Sequence, residues 1–333
     1  MLRSIVVERP SRLVLVILIT VALALALLQP RPALATPGRI REFVVPTANS
    51  HPGGVAFGSD GAVWFTELAT SAIGRLQAGT ITSYPLPQTG EPVAIVSGPD
   101  GALWFADYSG GRIGKITTTG QVTEFAIPLC NGCTDPGPWD ITAGPDGALW
   151  FTELDAKRIG RITTAGVITQ FDLSGPEGAP IGITNGPDGA LWFTDSSGVG
   201  RITVNGTITQ ETNSGAGGAA ITTGPDGNLW FPVGSSDLID RLNPSTGRLS
   251  QFPTALNCNP QDIASGSGAV WFTCYFLDQI GKVTTDGHIT AFPVPNHFHG
   301  NYPDTLEGIT AGAGNVMWFT EEAANRIGRI TTS

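Results

Sequence analysis

One ten-residue phrase recurs along the chain and constrains its fold more than any other feature. GPDGALWFTE occupies residues 144–153, and close or looser copies begin at Gly58, Gly98, Gly186, Gly224, Ser265 and Gly312. The Trp-Phe pairs of the seven copies begin at Trp64, Trp104, Trp150, Trp192, Trp230, Trp271 and Trp318. A period of about 40 residues indicates one supersecondary unit, repeated so that neighbouring units bury each other's apolar faces.

Each unit reads as four short strands. In residues 138–174, four runs rich in β-branched and aromatic residues lie between Gly, Pro and Asp residues. This pattern predicts antiparallel strands joined by tight turns, and the Asp-Gly pair predicts a two-residue hairpin turn of the primed type. Four strands in each of seven units predict an all-β, seven-bladed β-propeller of four-stranded blades, with the Trp side chains wedged between adjacent sheets.

The two ends of the chain complement each other. Residues 327–330, IGRI, match the third strand of the last unit, and no fourth strand follows them. Residues 40–43, IREF, resemble the fourth-strand segments 122–125 and 289–292. We therefore expect the N-terminal strand to complete the last blade and close the ring, which removes two exposed sheet edges.

The first 35 residues have the composition of an export signal. Arg3, Arg9 and Arg12 precede the uncharged stretch 13–28, and a small-residue Ala-Leu-Ala site ends at Ala35. This pattern predicts a signal peptide, 1–35, cleaved to leave a single propeller domain, 36–333, that is secreted or extracytoplasmic. A retained membrane anchor is the alternative, although the apolar stretch is short for a span of about 20 residues.

The charge of the chain limits its partners. The formal net charge is −10, and removing residues 1–35 would change it to about −13. A strongly acidic domain repels phosphate groups, which argues against nucleic acid and anionic membranes as partners. We expect a monomer, free of the membrane after signal cleavage, that binds a small molecule, a peptide or a glycan.

The four cysteines are even in number, as is usual in exported chains with disulfides. Cys258 precedes an inner strand and Cys274 ends the neighbouring strand, so we expect these two to form a disulfide. Cys130 and Cys133 are predicted to close a small loop. A zinc site that uses all four cysteines is the alternative, but their blades are not adjacent.

One face of the propeller carries the candidate site, because the segment entering each inner strand and the segment leaving the second strand emerge there. The candidate ligand-binding residues are Tyr108, Trp139, Asp140, Gln261, Asp262 and Tyr275, beside the acids Glu307 and Glu322 and the loop histidines His51, His297 and His299. Two interpretations remain open. The residues form either a solvated acidic rim or a pocket for a ligand or metal, built from Glu307, Glu322 and one loop histidine.

The repeated unit P-x-x-I-x-x-G-P-D-G-x-L-W-F-T-E, followed by I-G-R-I-T and I-T-E-F, resembles the virginiamycin B (streptogramin) lyase family over essentially all of residues 36–333. The resemblance implies a seven-bladed propeller, a bound magnesium ion, and an elimination that opens the ester of a cyclic peptide antibiotic.

The family's functional positions are only partly retained. Thr305 stands where the family has a metal-binding Glu, and Glu307 stands where it has the catalytic His. Gln261 and Asp262 lie in the stretch that carries a substrate-contacting His in the family, whereas Glu322 matches a second metal-binding carboxylate. The resemblance therefore implies Glu322 as a possible magnesium ligand.

Three functions are consistent with these residues. The first is an exported propeller that binds a ligand at its channel mouth. The second is an active lyase with Glu307, His297 or His299 as the base. The third is a protein-interaction scaffold in the cell envelope.

Overall fold

The computed structural model describes residues 38–129, 132–173, 178–212, 220–255, 257–295 and 305–332. Within these ranges, strands β1 to β28 form seven four-stranded antiparallel sheets, the blades. The first strand, β1 (Ile40–Val44), belongs to the last blade. Blade 1 comprises β2 (Pro52–Phe57), β3 (Val63–Glu67), β4 (Ala72–Gln77) and β5 (Thr80–Pro85). Blade 2 comprises β6 (Pro92–Ser97), β7 (Leu103–Asp107), β8 (Arg112–Ile116) and β9 (Val122–Ala126).

Blade 3 comprises β10 (Pro138–Ala143), β11 (Leu149–Glu153), β12 (Arg158–Ile162) and β13 (Ile168–Asp172), and blade 4 comprises β14 (Pro180–Asn185), β15 (Leu191–Asp195), β16 (Val199–Ile202) and β17 (Ile208–Thr212). Blade 5 comprises β18 (Thr222–Thr223), β19 (Leu229–Val233), β20 (Leu238–Leu242) and β21 (Leu249–Pro253). Blade 6 comprises β22 (Pro260–Gly266), β23 (Ala269–Cys274), β24 (Gln279–Val283) and β25 (Ile289–Pro293). Blade 7 comprises β26 (Leu306–Gly312), β27 (Val316–Glu321), β28 (Arg326–Thr331) and β1. Two single-turn 3-10 helices, Leu68–Thr70 and Gly234–Ser236, follow β3 and β19.

The inner strands form a closed ring. Each of β2, β6, β10, β14, β18, β22 and β26 contacts the inner strand of the next blade, and β26 returns to β2. The closing pair is β1 with β28, in a register that places Ile40 opposite Ile330 and Val44 opposite Arg326. The predicted seven-bladed propeller, completed by its N-terminal strand, is thus confirmed.

The indole rings fill the spaces between blades, as the repeat predicts. Trp104 of blade 2 lies in one buried cluster with Leu149 and Phe151 of blade 3. The same arrangement recurs around the ring and ends with Trp318, which packs against the cluster that contains Val63 and Phe65 of blade 1. Burial of these large rings supplies much of the apolar stabilisation between sheets.

The Trp-Phe pair also explains the glycine of the repeated Ile-Gly-Arg-Ile segment. The Phe side chain points to the opposite face from the Trp and lies across the third strand. A Cβ added at Gly74 would lie 2.1 Å from the ring of Phe65, and the equivalent glycines of other blades meet their Phe rings as closely. Close packing therefore requires glycine at this position in these six blades, whereas blade 5 has Asp240 opposite Phe231.

The Gly-Pro-Asp-Gly turn is not the predicted two-residue primed turn. In blade 1, where the turn reads Gly-Ser-Asp-Gly, the N–H of Gly58 donates to the carbonyl of Ala62 and leaves a three-residue loop in which Gly61 has a φ of 73° and Asp60 a negative φ. The Gly-Pro-Asp-Gly turn of blade 2 has the same bond, from Gly98 to Ala102. The aspartate is needed for its carboxylate instead. Asp60 Oδ1 accepts hydrogen bonds from the Ala62 N–H and from Trp64 Nε1, at 3.1 and 3.2 Å.

The predicted Cys258–Cys274 disulfide is present and ties the segment before β22 to the end of β23. Cys133 is also disulfide-bonded, whereas Cys130, the partner predicted for it, lies outside the described residues. No helix in the described part of the chain is long and apolar enough to cross a membrane. The predicted signal peptide, residues 1–35, lies outside the described residues and stays a prediction.

Candidate functional site

A β-bulge near the start of the inner strand brings side chains to the channel. In blade 3, Pro138 pairs with Glu153, but the register shifts before Ile141 pairs with Phe151. Similar shifts occur in the inner strands of blades 1, 2, 4, 6 and 7. Bulges redirect side chains and interrupt pairing, so Trp139 and Asp140 are released from the ladder in blade 3, and Val93 in blade 2.

The threonine of the Trp-Phe-Thr segment fills the gap that the bulge leaves. Thr152 Oγ1 accepts the N–H of Asp140 at 3.0 Å and donates to the carbonyl of Ile181 in the next blade at 2.8 Å. Thr320 Oγ1 does the same for the N–H of Gly308 and the carbonyl of Gly53. The threonine therefore fixes the bulge and joins it to the neighbouring blade.

The bulges surround a cavity of about 620 Å³ at the channel mouth. The second residue of six inner strands lines it: Gly53, Val93, Trp139, Ile181, Gln261 and Glu307. The cavity has two unlike sides. Blades 6 and 7 supply Gln261, Asp262, Tyr275, Glu307 and Glu322, whereas blades 1, 2 and 4 supply mainly apolar side chains, among them Val55, Leu68, Val93, Ile95 and Ile181.

Two of the acids predicted to bind a ligand accept hydrogen bonds from backbone N–H groups. Asp140 Oδ1 accepts the N–H of Ile141, and its Oδ2 accepts the N–H of Ile183 in the next blade, both at 2.8 Å. Asp262 bonds in the same way to Ile263 and, across blades, to Ile309. Burial raises the pKa of Asp140 to about 7 and that of Asp262 to about 6, although these hydrogen bonds favour the ionised form. Both line the cavity while they hold adjacent blades together.

Glu307 is the most perturbed acid of the cavity. Burial, followed by the nearby charges of Glu322 and Asp262, raises the pKa of Glu307 to about 8. Its carboxyl group makes no hydrogen bond or ion pair with the described residues, although its backbone carbonyl accepts from Thr273. At neutral pH the side chain is therefore mainly a neutral acid that can donate a hydrogen bond.

Glu322 lies at the seam between blades 7 and 1. Its Oε1 is 3.1 Å from Nδ1 of His51, and the Thr305 hydroxyl donates to its Oε2 at 3.5 Å. Glu322 and Leu68 also line a second cavity of about 360 Å³, which runs outward past Ser71, Glu91 and Ser109. The two cavities thus share a wall at Glu322.

Magnesium as a cofactor stays a prediction. Within the described residues no three His, Cys, Asp or Glu side chains converge on one point, so a magnesium ion here would depend on one or two carboxylates together with water. The family carboxylate is replaced by Thr305, and Glu322 is engaged by His51. His297 and His299 lie outside the described residues, so their predicted role as base or ligand stays a prediction.

Two aromatic pairs lie near the cavity. Trp139, which is 38% exposed, meets Tyr108 edge to face with ring centroids 5.4 Å apart. Tyr108 contacts Trp139 but is not among the described lining residues of the cavity. Tyr275 lines the cavity and meets Phe276 at 5.1 Å, and burial followed by the charges of Glu307 and Glu322 raises the pKa of Tyr275. Phe276 is 53% exposed and was not predicted as a site residue.

This sequence and fold have relatives among known proteins. The sequence profile of the Virginiamycin B lyase family matches residues 32–133 and 211–333. The chain belongs to the virginiamycin B lyase family. Virginiamycin B lyase from Staphylococcus aureus is 32% identical, with a TM-score of 0.80 over 88% of this chain and 99% of that one. A streptogramin B lyase structure is 31% identical, with a TM-score of 0.81 over 90% of this chain and 99% of the other.

A further similar structure is a catalytically inactive variant of the S. aureus lyase with quinupristin, also 32% identical, with a TM-score of 0.80 over 88% of this chain and 99% of that one. No curated protein sequence matches the chain at a significant level. The family assignment therefore depends on the family profile and on the solved lyases.

The sequence alone did not distinguish the residues that face the cavity from those that join neighbouring blades. It grouped Asp140 and Asp262 with the ligand-binding residues because both follow the inner-strand proline. The signal that separates them is position. The second residue of the inner strand lines the cavity, and an aspartate at the third position spans two blades.

Proposed function

We propose that this member of the virginiamycin B lyase family is an extracytoplasmic binding protein. Its ligand is a small molecule or the end of a peptide or glycan, which it holds at the mouth of the central channel. The observation that carries the proposal is the cavity of about 620 Å³, a volume usual for ligand sites. The Cys258–Cys274 disulfide and the signal-like residues 1–35 support export.

The chemistry of the cavity supports binding over turnover. The proposed base position holds Glu307 in place of the family histidine, and its raised pKa of about 8 is compatible with either a ligand contact or a base. The position of one family metal ligand holds Thr305, which has no charge. By contrast, Trp139 and Tyr275 offer flat apolar surface, which is a common means of holding ligands.

A thermal-shift screen tests this function. Purified protein is screened with peptides, sugars and aromatic small molecules, and a ligand that binds the native state raises the Tm. We expect Trp139→Ala to abolish the increase. Val167→Ala is the matched control, because it trims an exposed apolar side chain in the β12–β13 turn at the other end of blade 3. Equal ligand responses in the two variants would contradict binding in the cavity.

Lyase activity is the second candidate, and the 31–32% identity to solved lyases favours it. In that function the ionised Glu307 takes the proton from the carbon next to a carbonyl. The electron pair of the C–H bond forms a C=C bond, and the ester C–O bond breaks to release a carboxylate. The reaction would accelerate as pH rises to about 8, because Glu307 ionises there.

Liquid chromatography with tandem mass spectrometry distinguishes the two functions, because elimination opens the ring without changing its mass and the linear isomer is recognised by its retention and fragmentation. The protein is incubated with a streptogramin B, with and without magnesium, at about pH 7 and pH 9. Ring opening that disappears in Glu307→Gln supports the lyase. An intact ring at both pH values, with a Trp139-dependent Tm increase from any ligand, supports binding without turnover.

A further inference from the structure

The central cavity is acidic without a balancing positive charge. Four carboxyl groups line it, and no described lining residue is Lys or Arg. Asp140 and Asp262 each receive two backbone N–H groups, and Glu322 contacts His51. The carboxyl group of Glu307 receives no such partner from the described residues.

The hydroxyl of Tyr275 and the side-chain amide of Gln261 lie on the same side of the cavity as Glu307. Neither makes a hydrogen bond within the described chain. These three side chains are partly exposed to the cavity, so their polar groups are available to a ligand that carries hydrogen-bond donors.

The apolar side of the cavity indicates the chemical character of the rest of the ligand. Blades 1, 2 and 4 present aliphatic side chains, and blade 3 presents Trp139, whose ring remains partly exposed beside Tyr108. Aromatic rings attract cations and stack with flat groups. The cavity therefore combines an acceptor wall with an apolar wall, which is the arrangement that fits an amphipathic cation.

We propose that the ligand of this cavity is an organic cation: an ammonium, amidinium or guanidinium group on an apolar or aromatic body. The charged group lies against Glu307, and the body lies against Trp139 and the aliphatic wall. This proposal rests on the binding function proposed above and names the class of ligand. A bare divalent metal does not fit as well, because no three described side chains converge on one point and half the cavity is apolar.

Benzamidine and benzamide provide the test, since they share shape and size but only benzamidine is charged. Titration calorimetry at low salt and about pH 9, where the Glu307 carboxyl is ionised and benzamidine keeps its charge, measures their Kd values for the full mature chain. We expect benzamidine to bind at least about tenfold more tightly than benzamide, since one charge contact in a partly desolvated site contributes that much or more. Added salt should weaken only benzamidine.

Variants locate the contact. We expect Glu307→Gln to weaken benzamidine at least about tenfold and to leave benzamide unchanged. Asp286→Asn is the matched control: it removes the same charge from an exposed turn between β24 and β25, at the other end of blade 6 from Gln261. Glu307→Asp keeps the charge on a shorter side chain and should lose less affinity than Glu307→Gln. Circular dichroism verifies the fold of each variant.

Three results would overturn the proposal: equal affinity for both probes, equal effects of Glu307→Gln and Asp286→Asn, or no binding of benzamidine. A Tm increase with Mg²⁺ alone that needs Glu307 and exceeds that of benzamidine would also overturn it, in favour of a metal site. Neutral ligands that bind only when Trp139 is present would leave the binding function standing while refuting its cationic ligand. Absence of any Trp139-dependent ligand would refute both.

Discussion

Asn325 holds Ser50 across the seam between the last and first blades. Its Oδ1 accepts the Ser50 N–H at 3.1 Å and the Ser50 hydroxyl at 2.7 Å, and its Nδ2 donates to the carbonyls of Val45 and Thr47. The closing strand β1 is therefore secured by side-chain bonds in addition to its pairing with β28. A residue in the last blade thus fixes the segment that enters the first.

We expect Asn325→Ala to lower the free energy of unfolding by about 2–4 kcal/mol, because four hydrogen bonds are lost and alanine is strained at a positive φ. Asn325 has a φ of 56°. Urea denaturation measures the loss, and hydrogen exchange should increase in residues 40–50. Asn325→Gly removes the strain but still loses the four hydrogen bonds. If this variant were as stable as the wild type, the hydrogen bonds of Asn325 would not stabilise the closure of the ring.

Asp262→Ala should destabilise the ring at the junction of blades 6 and 7. The Ile309 N–H, now bonded to Asp262 Oδ2 at 2.7 Å, loses its acceptor. An unsatisfied buried N–H costs about 1–3 kcal/mol, so the urea midpoint should fall accordingly. Asp286→Asn, at an exposed residue, is the control. Equal urea midpoints for the two variants would contradict a stabilising bond of Asp262 between blades 6 and 7.

Asp146→Asn should reduce stability at neutral pH and have little effect in acid. Burial opposes ionisation of Asp146, but hydrogen bonds from Arg161 and Trp150 outweigh it and lower its pKa. A lowered pKa stabilises the folded state above the unfolded value of about 4, and this contribution is lost as the pH falls through the folded pKa. We expect a deficit of about 1 kcal/mol at pH 7 that disappears in urea titrations as the pH falls through the lowered pKa of Asp146. A constant deficit would refute the electrostatic origin.

Glu307→Gln should stabilise the protein increasingly as the pH rises. The pKa of Glu307 is raised to about 8, so the folded state binds a proton that the unfolded state releases above about pH 4.5. The wild type therefore loses stability between about pH 4.5 and pH 8, and the glutamine variant lacks this loss. We expect the difference to reach about 1–3 kcal/mol near pH 8, after some screening by solvent. Parallel stability profiles for the two proteins would contradict the raised pKa.

The repeat predicted the fold because the pattern of apolar and turn residues within each unit is enough to identify its strands. A Trp-Phe pair every 40 residues, flanked by β-branched runs, specifies one blade, and the matching ends of the chain specify the closure. The Gly-Pro-Asp-Gly turn was predicted wrongly because an Asp-Gly pair has two uses. Here the Asp60 carboxylate binds Trp64 Nε1 and pairs with Arg75 at 2.7 Å, which a reading of backbone preference alone does not reveal.

The candidate site was less predictable because the bulges are invisible in the sequence. A one-residue change of register decides whether a side chain faces the channel or the neighbouring blade. Asp140 is the third residue of its inner strand and Glu307 the second, and only the bulge shows what this difference means: Asp140 bonds to Ile183, whereas Glu307 opens into the cavity. The exposed Phe276 gave no signal, since single surface aromatics are common.

Because of the inner-strand bulges, the side chain that faces the channel makes few of the contacts that hold the blades together. The threonine hydroxyls bond to the backbone of the adjacent blade and hold the blades together. Residues as different as Gly53, Trp139 and Glu307 therefore occupy equivalent positions at the channel mouth. A substitution at Trp139 or Glu307 therefore changes which groups line the mouth while the threonine bonds between blades remain, whereas at Gly53 an added Cβ would lie 2.3 Å from Leu68. Ligand preference and the stability of the ring are thus largely separate properties of this fold.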